Sequence, residues 1–205
     1  MKIVISLGGS VIIPDKVDLN YLNKFKKLIL KLKKNHKIII VTGGGSIARI
    51  YIDALKKDGL DNKTLSHIGI FTTRLNAKLV AAILDLKHVP STEKELKQMS
   101  QKEKLIVTGA LGFHPNMTSD GTAAEAAMHL KADLLINITN VPGLFTKDPR
   151  KFKDAKQIPK ISFKDFDKIA KKIKFKAGQH FVLDQSAASI IYKAKIPTAI
   201  VTKDI

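Results

Sequence analysis

Three glycine-containing stretches in this chain directly follow apolar, strand-like runs, and that arrangement restricts the fold sharply. They are Leu7-Gly8-Gly9-Ser10, Thr42-Gly43-Gly44-Gly45-Ser46 and Thr108-Gly109-Ala110-Leu111-Gly112. The runs before them, KIVISL, KIIIVT and KLIVT, are apolar without alternation, as in parallel strands covered on both faces. A glycine loop between such a strand and a helix lets backbone N–H groups approach an anion with no Cβ in the way, at the positive end of the helix dipole. One loop of this kind can be only a tight turn. Several in 205 residues point to a pocket for several phosphates.

Strand and helix patterns alternate along the chain. Asp18 can cap a helix in which Leu22, Phe25, Leu28, Ile29 and Leu32 recur at helical spacing. Helices are expected over residues 46–57 and 73–86, followed by a short strand near 87–89 and a polar stretch at 91–103. Asp120 or Ser119 can cap an alanine-rich helix that runs to about Leu130. ADLLINIT at 132–139 is a further strand, 146–160 a surface excursion, Asp184 the cap of a helix through Tyr192, and TAIVT a last strand. This order predicts an α/β fold, a three-layer sandwich with a mostly parallel central sheet, in a single domain spanning residues 1–205. Ligands of such sheets bind at the carboxyl ends of the strands, where all three glycine loops begin.

Composition narrows the function classes. The net charge of +18 raises nucleic acid as a partner, but the excess is almost all lysine, with Arg49, Arg74 and Arg150 the only arginines. Arginine reads phosphates and base edges better, so a solvated lysine coat is the preferred reading and a nucleic-acid partner is not expected. No run is long enough to span a bilayer and the N-terminus lacks a signal-peptide pattern, so no membrane association is expected. The absence of cysteine excludes disulfides and thiolate zinc sites, and a cytoplasmic location is expected. No Ser/His/Asp set, close carboxylate pair or HExxH occurs, which counts against a hydrolase. Neither GxxxxGK[ST] nor GxGxxG with a ribose acid is present.

The order GGS, GGGxxAR, GxxxTRxNA, HPxxTxD with an alanine-rich helix, ITNVxGxxTxDP and KAGxxxVxDxxAAxII resembles the amino-acid-kinase superfamily. Within it the chain is most similar to archaeal-type uridylate kinases, over nearly its whole length. The resemblance implies phosphoryl transfer from ATP to UMP, with Mg²⁺ carried by ATP and with alignment and charge neutralisation in place of a general base. It implies that Gly9, Ser10, Gly45 and Arg49 meet the ATP phosphates, and that Thr139, Asn140, Phe145 and Asp148 hold its adenosine. Gly44 would contact the acceptor phosphate, and Ser66 with His114, Pro115, Asn116, Met117, Thr118, Ser119 and Asp120 would form the UMP site. Arg49 and Asp120 are the catalytic candidates. Arg74 can line the acceptor site or pair across a subunit contact, and Asp184 is read as a helix cap only.

The chain departs from this pattern at four places. Ser6 stands where many members have lysine, Ser66 where an acid usually contacts the UMP ribose, and Val141-Pro142-Gly143 where NVDG is common. A C-terminal helix and strand seen in relatives have no counterpart after TAIVT, so an exposed sheet edge is expected. The resemblance also implies a homo-oligomer, a hexamer built from dimers. Two alternatives keep the fold: another acceptor such as isopentenyl phosphate, against which Thr42 argues because that branch has histidine there, and a nucleotide-binding regulator without turnover.

Overall fold

The computed structural model describes residues 1–112, 118–141, 143–147, 149, 152–172 and 183–204. Its centre is a five-stranded sheet of β1 (Lys2–Leu7), β2 (Lys37–Thr42), β3 (Leu105–Thr108), β4 (Leu134–Thr139) and β5 (Thr198–Thr202). The spatial order is β3-β2-β1-β4-β5, and every pair is parallel. Strand order therefore reverses at β1: the chain moves outward through β2 and β3, then returns to add β4 on the other side. A crevice opens at such a reversal, above the carboxyl ends of β1 and β4.

Side-chain alternation on these strands builds two apolar layers. Ile3, Ile5, Leu7, Ile38, Ile40, Leu105 and Val107 face one side, with helices α1 (Gly9–Ile12), α2 (Leu19–Leu32) and α4 (Asn62–Ile83) over them. Val4, Ile39, Val41, Ile106 and Leu135 face the other, beneath α5 (Glu93–Lys102), α6 (Ser119–His129), α7 (Phe163–Lys172) and α8 (Gln185–Ala194). The remaining helix, α3 (Gly45–Lys57), packs on α4. This is the expected three-layer α/β sandwich.

Local chemistry explains the element ends. Asp18 accepts from the Tyr21 N–H and starts α2, as its position suggested. Asp184 likewise caps α8 through the Ala187 N–H at 2.6 Å. Other expectations need correction. The helix placed at 73–86 begins eleven residues earlier, at Asn62, because Asp61 caps it through Thr64 N–H, and Gly69 within it lies against α3 beside Ile52. The stretch at 91–103 is mostly helical, capped by Thr92, with Glu95 reaching back to the Ser91 N–H. No strand forms at 87–89: Val89 packs against the core without a pairing partner, and Pro90, which lacks an N–H, follows. A small antiparallel pair joins β6 (Leu144–Phe145), just before the excursion at 146–160, to β7 (Gln157–Ile158) within it. β5 is an edge strand of the sheet, and its Val201 is exposed.

Candidate active site

The loops after β1 and β2 lie against each other with no space between backbones. A Cβ on Gly9 would stand 2.2 Å from the Gly45 nitrogen and 2.6 Å from the Gly43 oxygen. One on Gly45 would stand 2.3 Å from the Gly9 carbonyl carbon, and Gly45 holds φ at +65°. Only glycine satisfies both constraints. Gly8 donates its N–H to the Ile138 carbonyl at 3.0 Å, so the same loop is fastened to the end of β4. Gly9 and Gly45 open α1 and α3, and Ser119, which opens α6, stands close enough that a Cβ on Gly43 would lie 3.1 Å from its Oγ. The N-terminal ends of three helices thus converge over β1 and β2, presenting N–H groups and positive dipole ends to one region.

Helix α4 holds these loops in place through Asn76 and Thr73, to which no role had been given, and through Arg74. Asn76, buried, donates from Nδ2 to the Gly43 carbonyl at 2.7 Å and to the Gly44 carbonyl at 3.2 Å. Thr42 Oγ1 donates to the Thr73 carbonyl, and Thr73 Oγ1 accepts from the Ala110 N–H. Arg74 donates from Nε to the Ala110 carbonyl at 3.0 Å and from Nη2 to the Ser91 carbonyl at 2.9 Å, so it braces the loop after β3. A Cβ on Gly109 would meet the Thr73 and Arg74 backbone at 2.7 Å, which seats that loop directly on α4. Thr73, Arg74 and Asn76 all belong to the GxxxTRxNA motif, but the motif does not show what they bond.

Asp120 lies in the first turn of α6. The helix is capped by Thr118, whose hydroxyl accepts from the Asp120 N–H at 3.1 Å, which corrects the expected cap at Asp120 or Ser119. The Asp120 side chain is left to accept from the Ser6 hydroxyl through Oδ1 at 2.8 Å. Burial pushes its carboxyl up to about 7; the Ser6 hydrogen bond opposes the rise and the Asp184 carboxylate adds to it. Part of the residue still reaches solvent, which tempers the effect. Asp184 does more than cap α8. Its Oδ2 accepts from both the N–H and the hydroxyl of Thr118, so it ties the starts of α6 and α8 together.

The remaining expected site residues fall as follows. Ser10 is half-buried in α1, and Gly44 is the N-cap of α3. Arg49 is half-buried in α3, just past its first turn, and among the described residues its guanidinium has no hydrogen-bond or ion-pair partner. Thr139 ends β4, beside Gly8, and Asn140 follows it exposed. Phe145 lies in the small antiparallel pair. Ser66 sits in α4 one turn before Gly69, whose carbonyl faces Gly44, and donates its hydroxyl to the Asn62 carbonyl. His114, Pro115, Asn116, Met117 and Asp148 lie outside the described residues, as does Pro142.

The sequence pattern of the amino acid kinase family matches residues 1–202. A uridylate kinase of Pyrococcus abyssi is 40% identical over 99% of this chain and 91% of its own length. One of Thermococcus sibiricus is 37% identical over 100% of this chain and 91% of its own. The crystal structure of a uridylate kinase from Archaeoglobus fulgidus superposes with a TM-score of 0.86 at 33% identity, covering 98% of this chain and 91% of that one. An aspartate kinase structure from Synechocystis shares the fold, with a TM-score of 0.75 at 16% identity over 38% of its length.

Proposed function

The chain belongs to the amino acid kinase family, and we propose that it transfers the γ-phosphoryl group of ATP to the phosphate of UMP, giving UDP and ADP. The observation that carries this reading is the contact of the Gly9 and Gly45 backbones at the point where strand order reverses. Two loops that face each other over β1 and β2 can present N–H groups to two polyanionic substrates held head to tail. In-line transfer needs the two phosphates aligned and their mutual repulsion reduced. In this reading Gly9, Ser10, Gly45 and Arg49 meet the donor phosphates, and Thr139, Asn140, Phe145 and Asp148 hold the adenosine. Gly44, Ser66 and residues 114–120 receive UMP.

The acceptor is a phosphate monoester, anionic near neutral pH, so the reaction needs no general base. Arg49 supplies the cation that neutralises charge in the transition state. Asp120, with its carboxyl near 7, meets the acceptor phosphate as a neutral hydrogen-bond donor at and below that pH. Mg²⁺ enters as part of the Mg·ATP substrate, with phosphate oxygens and water as its ligands. We assign the activity to pyrimidine nucleotide synthesis in the cytoplasm. Among the described residues no helix is long and apolar enough to cross a membrane.

The test is phosphoryl transfer from Mg·ATP to UMP, CMP, dUMP, AMP and isopentenyl phosphate in parallel. UDP formation that strongly favours UMP is expected. Preference for another acceptor would move the substrate within the same fold, and nucleotide binding without turnover on any of them would make the chain a regulator.

A further inference from the structure

We infer that Ser6 is a positioning residue: its hydroxyl occupies Asp120 Oδ1 and leaves Oδ2 as the oxygen that carries the carboxyl proton and faces the acceptor phosphate. The inference rests on the phosphoryl-transfer reading above. Ser6 is the sixth residue of β1, 1% exposed, on the sheet face covered by α6. Its neighbours in the sheet are Val41 on β2 and Asn137 on β4. Apart from the buried Asn137, the surrounding layer is made of Val4, Ile39, Val41, Ile106 and Leu135, so a hydroxyl at this point is costly unless it is bonded. Among the described residues its one side-chain partner is Asp120 Oδ1, at 2.8 Å.

That geometry decides where a proton can sit. A hydroxyl shut away from water must place its hydrogen on an acceptor, and Oδ1 is the acceptor within reach. Oδ1 is thereby kept as an acceptor, and a neutral carboxyl holds its proton on Oδ2, which accepts no hydrogen bond from the described residues. The Asp120 backbone is fixed separately, through its N–H to Thr118 Oγ1, so the Ser6 bond sets the side-chain torsion alone.

Few other charges bear on this carboxyl. The elements packed on α6 are α8, β1, β2 and β4, together with α5, whose Glu93 lies 3.3 Å from His129 in the last turn of α6, at the opposite end from Asp120. On α8 the facing group is Asp184, at its N-cap; Tyr192, Lys193 and the helix end lie away from it. On β1 and β2 the charged groups are Lys2 and Lys37, at the opposite ends of the strands, where they donate to the Leu130 and Ser100 carbonyls. β4 (LLINIT) carries none. Within α6 the first turn holds no other acid, and Glu125 lies further along the helix.

The experiment compares wild type, Ser6→Ala and Ser6→Thr by carboxyl-carbon NMR titration of Asp120 and by the pH profile of kcat/KM for UMP. Circular dichroism and thermal unfolding confirm the fold of each. In Ser6→Ala the Asp120 titration moves to higher pH, because the bond that held it down is gone. The Asp120-linked limb of the pH profile moves the same way, and kcat/KM at neutral pH falls by roughly tenfold. Ser6→Thr, which restores a hydroxyl, returns both toward wild type. An unmoved Asp120 titration in folded Ser6→Ala, or an unmoved pH profile, would overturn the inference. If wild type makes no UDP, the phosphoryl-transfer reading fails, and the NMR arm still decides whether Ser6 holds Asp120.

Discussion

Asp120 carries two burdens that pull in opposite directions. The proposed reaction asks for it at the first turn of α6, near the glycine loops, while folding must enclose a carboxyl whose ordinary pKa of 3.8 is raised to about 7. Its folded value lies above its unfolded one, so the proton is bound more tightly in the native state. Its stabilising share is therefore full below about pH 4 and is lost as pH rises toward 7. Asp120→Asn removes that loss. The variant should melt higher than wild type at pH 8, by an amount on the order of 2 kcal/mol, and should match it near pH 4. Thermal unfolding at both pH values checks this; an equal gain at both would mean that something other than ionisation is responsible. Arg49 in α3 differs: it is half-buried, and among the described residues its guanidinium has no hydrogen-bond or ion-pair partner.

Among the elements, the loops after β1 and β2 are the most tightly specified. Gly45 combines φ of +65° with a Cβ position 2.3 Å from the Gly9 carbonyl carbon, whereas Gly59 has φ of +80° and open space around it. Alanine at position 59 should cost about 1–2 kcal/mol, the conformational penalty alone. Alanine at position 45 adds a backbone collision and should cost at least about 3 kcal/mol. Thermal unfolding of the two variants side by side separates the terms, and similar losses would show that the loops can part easily. Both loops were legible as sequence because glycine after an apolar strand has few other readings. Their clamp was not. Asn76 and Thr73 look like ordinary polar residues of a helix until α4 is laid across the loops, where Asn76 meets the Gly43 and Gly44 carbonyls. The start of α4 lies eleven residues before the expected one because Asp61 caps the helix through the Thr64 N–H, and Gly69 is carried within it against α3.

At the scale of the whole molecule, the helices of the α3–α4 hairpin expose four large apolar side chains. Ile50 and Tyr51 on α3 and Phe71 and Leu75 on α4 are each more than half exposed, at 63%, 56%, 62% and 61%. Ala48 lies against Gly44 near Thr72, and Ile52 lies beside Gly69, so Ile50 and Tyr51 are level with Phe71 on the hairpin. Such a patch on a chain of net charge +18 suits burial against a second copy. We expect wild type to be a homo-oligomer by light scattering, a hexamer by resemblance, and Phe71→Glu to yield a smaller species with its circular dichroism retained. An unchanged mass for the variant would remove this face from the assembly.

The apolar runs determined by themselves that the sheet is parallel and covered on both faces, because no alternating pattern offers a wet side. The glycines determined where anions can approach, because few other residues permit the backbone to come so close. Tertiary structure alone decided how the polar residues divide their duties. Arg74 became a brace when its guanidinium met the Ala110 and Ser91 carbonyls. Asp184 became a tie between two helices as well as a cap. Ser6 acquired a role only when α6 brought Asp120 above β1, 114 residues away in sequence. Hydrogen bonds of this range depend on which elements pack together, and no local pattern encodes them.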